Sequence, residues 1–281
     1  MEIGHFRAMG TDVEVRAHDT AGIQATTDVF AAVEELASRF REDSELSRLN
    51  RASARRVPVS DCLAQILDAA ADLHERTDGL VDAGVGDAVI AWGYDRTFEE
   101  MPDVAPEPDS PISGSWGVDG REVWRDRGVK LDLGGIAKGW TCDFAVGTGL
   151  AEVVSAGGDV RSRDPDTLVE VMDPWGHVAA RIPVGVGALA TSSITRRAWK
   201  AGTTDAHHLI DPRSGCPSVT PVLSATAAAD SAVEAEAGAK AVLLRGADGL
   251  AWAAEQSWLH GALAVWRSGS VYATPRLAVR T

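Results

Sequence analysis

Apolar residues recur at helical spacing in two stretches of the first third of the chain. Within residues 23–40, the side chains of Val29 and Val33 fall on one stripe, and residues 61–76 repeat the same spacing. This period is typical of a helix that buries one face, so both stretches are predicted to be amphipathic helices. The polar residues at 41–50 are predicted to form a connection rather than another helix.

Two more helices are predicted in the second half of the chain. One follows Ala137, and the other covers about residues 230–245 in an alanine-rich segment. Ser231 and Glu234 have the spacing of a capping box at the start of the second helix.

Short runs rich in valine and other apolar residues predict strands. Residues 3–17 are predicted to form a first strand, interrupted at Met9-Gly10-Thr11. Hairpin-like strands with scattered helices favour an α+β fold with mixed or antiparallel sheets over a doubly wound parallel sheet. The remaining predicted strands are 122–125, 129–133, 152–155, 167–172, 180–184 and 262–266.

The proline-rich segment at 101–115 is predicted to be a loop and a seam between two subdomains of a single domain that spans residues 1–281. The composition, with 45% hydrophobic and 24% charged residues, is that of a globular protein. The net charge of −14 argues against nucleic acid as a partner. No apolar run is long enough for stable membrane insertion, and the first residues do not resemble a signal peptide, so a cytoplasmic location is expected.

The stretch with the clearest chemistry lies at residues 129–143. Gly134 and Gly135 form a turn before a predicted helix that carries Lys138. Backbone N–H groups at a glycine turn, the positive end of a helix and a lysine together favour a phosphate-bearing ligand. The spacing is not that of a P-loop, so the stretch does not identify the ligand by itself.

Several motifs occur in a fixed order along the chain. They are Ala8-Met9-Gly10-Thr11, residues 40–47, residues 78–82 with Trp92-Gly93-Tyr94, the glycine–lysine stretch at residues 129–143, Ala156-Gly157-Gly158-Asp159, Ala190-Thr191-Ser192-Ser193 and residues 207–215. Their order and spacing resemble the ApbE family of FAD:protein FMN transferases. The resemblance covers about residues 6–265, and the ordered set is specific although each single motif is not.

The resemblance implies an α+β, T-fold-related architecture with helices flanking the sheets and a ligand cleft between two subdomains. It also implies that the protein transfers FMN from FAD to a Ser or Thr of an acceptor protein, releases AMP, and uses Mg²⁺ at the pyrophosphate. Two alternatives remain open: an FAD-binding carrier or regulator without catalysis, and a hydrolase that splits the FAD pyrophosphate.

The resemblance implies most of the candidate site residues, and the chemistry of the reaction adds the bases. The attacking hydroxyl needs a base, and an acidic side chain such as Asp143, past Lys138 on the same predicted helix, or Asp159 suits that role. The cofactor-binding set is Met9, Phe40, Leu80, Val81, Asp82, Asp132, Lys138 and Ile210; the metal-binding set is Gly135, Ala137 and Glu236; the catalytic candidates are Asp143, Asp159 and His208.

One pair of residues departs from the family pattern. Relatives usually carry an Asp and, four residues later, a Thr as metal ligands, just before an apolar helical run that ends in Gly. When that run is aligned with residues 241–246, Glu236 and Lys240 occupy the two ligand positions. A charged lysine has no lone pair for a metal, so its ammonium group is a candidate substitute for the metal's charge. Asp230 and Glu234 have the same four-residue spacing, but this alternative alignment displaces the apolar run and ranks second. Glu236 and Lys240 are equally explained as an i,i+4 helix surface pair.

Overall fold

The computed structural model describes residues 1–102, 104–105 and 114–280. They form two compact units, each built from separated parts of the chain. The sheet unit comprises Met1–Ala31, Lys138–Thr195 and Val219–Thr281, and the helix unit comprises Ala32–Ala137 and Arg196–Ser218. Most of the predicted seam at 101–115 lies outside the described residues, and the residues on both sides of it belong to the helix unit.

The described residues contain helices and strands in alternating groups, and short 3₁₀ turns lie at Ala83–Val85, Phe98–Glu100 and Gly246–Asp248. The helices are α1 (Thr20–Ala37), α2 (Glu45–Arg51), α3 (Asp61–Arg76), α4 (Gly86–Ala91), α5 (Ala137–Gly147), α6 (Ala232–Arg245) and α7 (Gly249–Glu255). The strands are β1 (Glu2–Ala8), β2 (Thr11–Ala17), β3 (Arg56–Pro58), β4 (Val104–Ala105), β5 (Trp116–Asp119), β6 (Glu122–Arg125), β7 (Val153–Ala156), β8 (Asp159–Ser162), β9 (Leu168–Met172), β10 (Val178–Pro183), β11 (Gly187–Ser193), β12 (Ala198–Ala201), β13 (Thr204–His207), β14 (Ile210–Asp211), β15 (Cys216–Pro217), β16 (Val222–Ala229), β17 (Leu259–Trp266) and β18 (Val271–Ala273).

An eight-stranded antiparallel sheet in the order β1-β2-β7-β8-β11-β16-β17-β18 forms the centre of the sheet unit. Every residue of β16 is buried, and α6 packs against β11 and β16. The many alanines of α6 and β16 allow this close approach, because a short side chain keeps the helix near the strands. The prediction of an α+β fold with antiparallel strands flanked by helices is therefore confirmed.

Two tight turns lie beside each other at one end of this sheet. Met9 and Gly10 join β1 to β2 with positive φ angles of 51° and 67°, the backbone of a two-residue hairpin loop. Gly157 and Gly158 join β7 to β8 in the same way, and a Cβ atom on Gly157 would collide with the Thr11 side chain. The segment predicted as one interrupted strand is thus a hairpin, and the second turn sets Asp159 at the start of β8.

The helix unit combines α2, α3 and α4 with three small sheets, in the orders β3-β6-β5, β13-β12-β4 and β14-β15. Its helix α3 matches the predicted range 61–76, and Ser60 caps its first turn by accepting a hydrogen bond from Leu63 N–H. A buried cluster joins residues of α4, β12 and β13 around Tyr94 and Trp199.

The predicted strand at 129–133 is wrong. Its backbone N–H and C=O groups do not pair with a neighbouring strand. Instead, the Asn50 side chain donates to Leu131 C=O and accepts from Leu131 N–H, both at 2.8 Å. Gly86 N–H donates to Lys130 C=O, and Asp132 N–H donates to Ala83 C=O. A side chain from another part of the chain thereby replaces a neighbouring strand.

The prediction of a polar connection over the whole of 41–50 is also wrong, because α2 begins at Glu45. Ser44 caps this short helix, its hydroxyl accepting from Ser47 N–H at 2.9 Å. Leu46 and Leu49 are fully buried, so two leucines among polar residues suffice to anchor it. The predicted helices after Ala137 and near 230–245 are confirmed as α5 and α6, with Ser231 as the N-cap of α6.

No helix within the described residues is long and apolar enough to cross a membrane. The cytoplasmic location stays a prediction.

Candidate functional site

A buried lysine bridges two buried carboxylates in the sheet unit. Lys138, in the first turn of α5, places its Nζ atom 3.5 Å from Asp159 Oδ2 and 3.5 Å from Glu236 Oε1. The three side chains are 14%, 6% and 8% exposed. Asp159 comes from β8 and Glu236 from α6, so three separate segments assemble this charged cluster. Two of its members were predicted for cofactor or metal binding and one for catalysis.

Burial dominates the electrostatics of this charged cluster. The pKa of Asp159 is raised to about 7, first by desolvation and then by the nearby Glu236 carboxylate, while Lys138 and Lys240 act in the opposite direction. A carboxyl group with a pKa near neutrality is suited to exchange a proton at physiological pH. Lys240 is half-buried one turn of α6 beyond Glu236 and contributes its positive charge to the same region.

One carboxylate oxygen in the charged cluster has no hydrogen-bond partner among the described residues. This atom, Glu236 Oε2, is buried and faces Gly139 on α5. A Cβ atom added at Gly139 would lie 3.1 Å from Glu236 Oε2 and 3.1 Å from the backbone of Ala232. The glycine therefore allows α5 and α6 to approach closely, and the unpartnered oxygen marks a place for a donor or cation.

Asp143, predicted as a base ahead of Asp159, lies about one and a half turns beyond Lys138 along α5 and has a different environment. Its carboxylate accepts hydrogen bonds from Ala232 N–H at 2.8 Å and Val233 N–H at 3.0 Å, and it pairs with Arg161 Nε at 3.1 Å. Burial raises its pKa, although the two amides and Arg161 favour the charged form. These contacts hold the N-terminus of α6 in place, so they favour a structural role. The role as base stays a prediction.

Aromatic rings rather than carboxylates dominate the second group of candidate residues, which lies in the helix unit. Phe40 and Tyr94 have ring centroids 5.5 Å apart, and Tyr94 lies at the same distance from Trp199. Burial raises the pKa of Tyr94, so its hydroxyl stays neutral. Ile210, predicted near the flavin, is buried in the same cluster.

Asp132, predicted for the polar part of the cofactor, is bonded within the helix unit. Its Oδ2 atom accepts from Arg39 Nε at 2.6 Å, and its Oδ1 atom accepts from Gly134 N–H at 2.6 Å. The carboxylate thus shapes the turn of Gly134 and Gly135, while Ala137 N–H donates to Leu133 C=O at the start of α5. Metal binding by Gly135 and Ala137 stays a prediction.

The side chains of Leu80, Val81 and Asp82 make their contacts within the helix unit. Leu80 and Val81 are buried, and Asp82 Oδ1 accepts hydrogen bonds from Gly84 N–H and Trp116 Nε1, each at 2.7 Å. Their predicted contact with the cofactor is untested. Met9, in the sheet unit, is half-buried at its hairpin turn, and its role also stays a prediction.

The two adjacent histidines differ in burial. His207 is buried, its Nε2 atom lies 3.0 Å from Ser218 C=O, and its Nδ1 atom accepts from Leu209 N–H. These two contacts explain His207 structurally. His208 is half-buried, with Nδ1 3.4 Å from Arg197 C=O, and its catalytic role stays a prediction.

Arg39 and Arg161 are the residues that sequence reasoning missed. Their partners Asp132 and Asp143 lie 93 and 18 positions away along the chain, so no local pattern marks them. The available signal for Arg39 was its position beside Phe40, at the end of an apolar helical stripe.

The α+β fold with a buried, lysine-bridged pair of carboxylates defines a protein with a candidate site for a polar ligand. The sequence model of the ApbE family matches residues 9–263. The chain belongs to the ApbE family.

Individual relatives agree with this assignment. The chain is 30% identical to the FAD:protein FMN transferase of Rhodobacter capsulatus over 98% of its own length, and it spans 57% of the length of that relative. It is 28% identical to the enzyme of the same name from Vibrio cholerae, over 85% of this chain and 79% of the relative.

Solved structures show the same architecture. The crystal structure of the ApbE protein of Thermotoga maritima is similar with a TM-score of 0.84 and 25% identity, over 98% of this chain and 97% of that chain. The flavin transferase ApbE of Vibrio cholerae is similar with a TM-score of 0.81 and 25% identity, over 98% of each chain.

Proposed function

We propose that this protein transfers FMN from FAD to a Ser or Thr hydroxyl of an acceptor protein and releases AMP. Membership in the ApbE family supports the reaction, since curated relatives carry the name FAD:protein FMN transferase. The observation that carries the proposal is the charged cluster of Lys138, Asp159 and Glu236. A buried ammonium group is a suitable partner for the pyrophosphate, and a carboxyl group with a pKa of about 7 is a suitable base.

The reaction balances without a redox partner. The acceptor oxygen attacks the phosphorus on the FMN side, a new P–O bond forms, and the P–O bond to AMP breaks. AMP leaves with the bonding electron pair, and the hydroxyl proton passes to a carboxylate, for which Asp159 is the stronger candidate and Asp143 the weaker. Lys138 offsets negative charge on the phosphoryl oxygens as it develops.

Covalent flavin on a protein is the direct test of this reaction. The protein is incubated with FAD and a bacterial lysate, and the mixture is separated by denaturing electrophoresis and viewed by flavin fluorescence, with AMP measured in parallel. A fluorescent band that appears together with AMP and is absent with the Lys138→Ala variant supports the proposal. AMP and free FMN without a band would indicate a hydrolase, and FAD binding without AMP would indicate a carrier or regulator; either outcome would overturn the proposal.

The side chains of the charged cluster fit a divalent cation poorly. Mg²⁺ and Ca²⁺ prefer several oxygen ligands, and Glu236 Oε2 is one buried oxygen that would serve. However, Lys138 already lies between the two carboxylates, and Lys240 adds a second positive charge. No group of three or more His, Cys, Asp or Glu residues suited to a metal occurs in the described part of the chain.

We therefore infer that Lys138 and Lys240 supply the positive charge, and that FAD binding does not require Mg²⁺. No step of the reaction above is assigned to a metal. A proton on Asp159, whose pKa is raised to about 7, lowers the negative charge that the two lysines face. The Lys240→Thr variant, which restores the residue usual in relatives, is expected to tighten its FAD binding when Mg²⁺ replaces EDTA. The exposed Lys200, paired with Asp205, gives the control Lys200→Thr. An unaltered response of Lys240→Thr to Mg²⁺ would contradict the role given to Lys240.

A further inference from the structure

Arg39 is a nearly buried cation among aromatic rings of the helix unit. Its side chain is 7% exposed, and its guanidinium carbon lies 4.1 Å from the ring centroid of Phe40 and 4.7 Å from that of Tyr94. A guanidinium group over an aromatic face is attracted by the ring's electrons, more strongly where water is excluded. The cation therefore holds the two rings in a fixed relation.

The same guanidinium is anchored by a carboxylate. Arg39 Nε donates to Asp132 Oδ2, and Asp132 Oδ1 in turn accepts from Gly134 N–H. This chain of contacts fixes the guanidinium plane, because a planar fork bonded at one edge keeps little freedom to rotate. It also neutralises Asp132, which would otherwise repel an approaching phosphate.

Phe40 and Tyr94 differ in how much of each ring remains accessible. Phe40 is 36% exposed, whereas Tyr94 is 6% exposed and packs against Trp199 and Phe98. Phe40 contacts Arg39 and Tyr94 and still keeps 36% of its surface exposed. A partly exposed aromatic ring on a rigid support is suited to stack against a planar heterocycle.

We propose that Arg39 is a positioning residue that holds the Phe40 ring as a stacking platform for one ring system of FAD. The inference rests on the proposed function, and Arg39 acts through Phe40 rather than by touching FAD. It names a residue outside the sets implied by the family resemblance. Charge alone does not explain the arrangement, because a charge without a planar face would not order the ring.

The test compares three variants by titration with FAD, followed by the quenching of flavin fluorescence. Arg39→Gln is expected to raise the Kd for FAD about tenfold. Arg39→Lys is expected to recover part of this loss, because it restores the charge but not the planar face. Arg41→Gln is the matched control: Arg41 is 44% exposed and pairs at the surface with Glu35 and Asp43, so its Kd is expected to equal that of the unsubstituted protein.

A double variant separates positioning from stability. Arg39→Gln leaves Asp132 without its cation, whereas Arg39→Gln with Asp132→Asn removes both charges and keeps the oxygen that accepts from Gly134 N–H. The double variant is expected to regain thermal stability but to keep the weakened FAD binding. Repeating the titrations with FMN and with AMP shows which ring lies on Phe40, since the loss is expected for one of the two ligands.

Two results would overturn the inference: an unchanged Kd in Arg39→Gln, or full recovery of FAD affinity in the double variant. An equal loss for FMN and AMP would also contradict a platform for one ring. Failure of the proposed function is distinguishable, because then the unsubstituted protein itself would not bind FAD.

Discussion

The candidate sites of the two units are built from different kinds of side chain: charged groups in the sheet unit and aromatic rings in the helix unit. In the sheet unit, Lys138, Asp159 and Glu236 form a buried cluster of charges brought together by two helices and a strand. In the helix unit, Phe40 and Tyr94 form an aromatic pair around one cation, and part of Phe40 remains exposed.

This difference determines what each site contributes to stability. A charge withdrawn from water is costly unless it is paired, so removal of one partner in the charged cluster destabilises the fold as well as the site. A partly exposed ring loses less stability on truncation than a fully buried group, because it buries less area. Substitutions in the charged cluster should therefore change both stability and FAD binding, whereas substitutions of Phe40 should change binding more than stability.

Lys138→Ala is expected to have the largest effect. It leaves two buried carboxylates without their shared cation, which costs about 3–5 kcal/mol of unfolding free energy. It also removes a charge-assisted bond of about 1.5–3 kcal/mol to the pyrophosphate, which raises the Kd for FAD about 10- to 150-fold. Urea denaturation and FAD titration measure the two effects.

Lys130→Ala is the control for this substitution. Lys130 lies in the same glycine–lysine stretch, but its side chain is 40% exposed and pairs with Asp87 in the helix unit. A loss of at most about 1 kcal/mol in stability is expected. Equal FAD affinity in the two variants would remove Lys138 from the pyrophosphate site.

The second prediction concerns pH. The carboxyl of Asp159 has its pKa raised from 3.8 to about 7 by burial, so the folded protein binds more protons than the unfolded chain between these values. The unfolding free energy contributed by this group therefore falls as pH rises from about 4 to about 7. Asp159→Asn is expected to flatten that decline in urea denaturation measured in EDTA at several pH values.

The exposed Asp205 offers the matched control Asp205→Asn, which should keep the decline seen in the unsubstituted protein. A decline of equal size in Asp159→Asn would show that the buried carboxyl of Asp159 is ionised throughout this range.

Gly139→Ala tests the close contact between α5 and α6. The added methyl group would lie 3.1 Å from both Ala232 and Glu236 Oε2, and such overpacking costs about 1–3 kcal/mol. Gly147→Ala, on the same helix, meets nothing within 4 Å and is expected to be neutral or to stabilise by up to about 1 kcal/mol. Thermal unfolding of both variants provides the measurement, and equal Tm values would argue against the tight contact.

Phe40→Ala is expected to have the smallest effect on the fold. Loss of a stacking surface should weaken FAD binding by about 1 kcal/mol, or about fivefold in Kd, with little change in Tm. Phe40→Tyr, which keeps an aromatic ring of the same size, should bind FAD like the unsubstituted protein. A large drop in Tm for Phe40→Ala with unchanged Kd would reverse the contrast drawn between the two units.

Local patterns were sufficient for the longer helices, although the short helices α2, α4 and α7 were not predicted. The apolar period at 61–76 and the Ser231–Glu234 spacing predicted α3 and α6, because the information lies within a few turns. The strand predicted at 129–133 failed because Asn50, 81 positions away, bonds to both backbone groups of Leu131. Nothing in the apolar run itself reveals that partner.

The candidate site shows the same limit. Lys138 was predicted from its own stretch, since glycines, a helix start and a lysine are adjacent in the chain. Arg39 was not predicted, because the role proposed for it depends on Asp132 and Tyr94, which folding alone brings near. Likewise, the sequence offered Asp143 as a candidate base and Asp159 as a second, and the partners of each side chain are arguments for Asp159.

The most direct test of the central claim is a titration of the unsubstituted protein with FAD, followed by flavin fluorescence and performed once with Mg²⁺ and once with EDTA. We expect saturable binding with the same Kd in both buffers, because Lys138 and Lys240 are proposed to provide the positive charge at the pyrophosphate. Absence of binding in both buffers would contradict the flavin function itself. Binding that requires Mg²⁺ would contradict the role of the lysines and would show a working metal site.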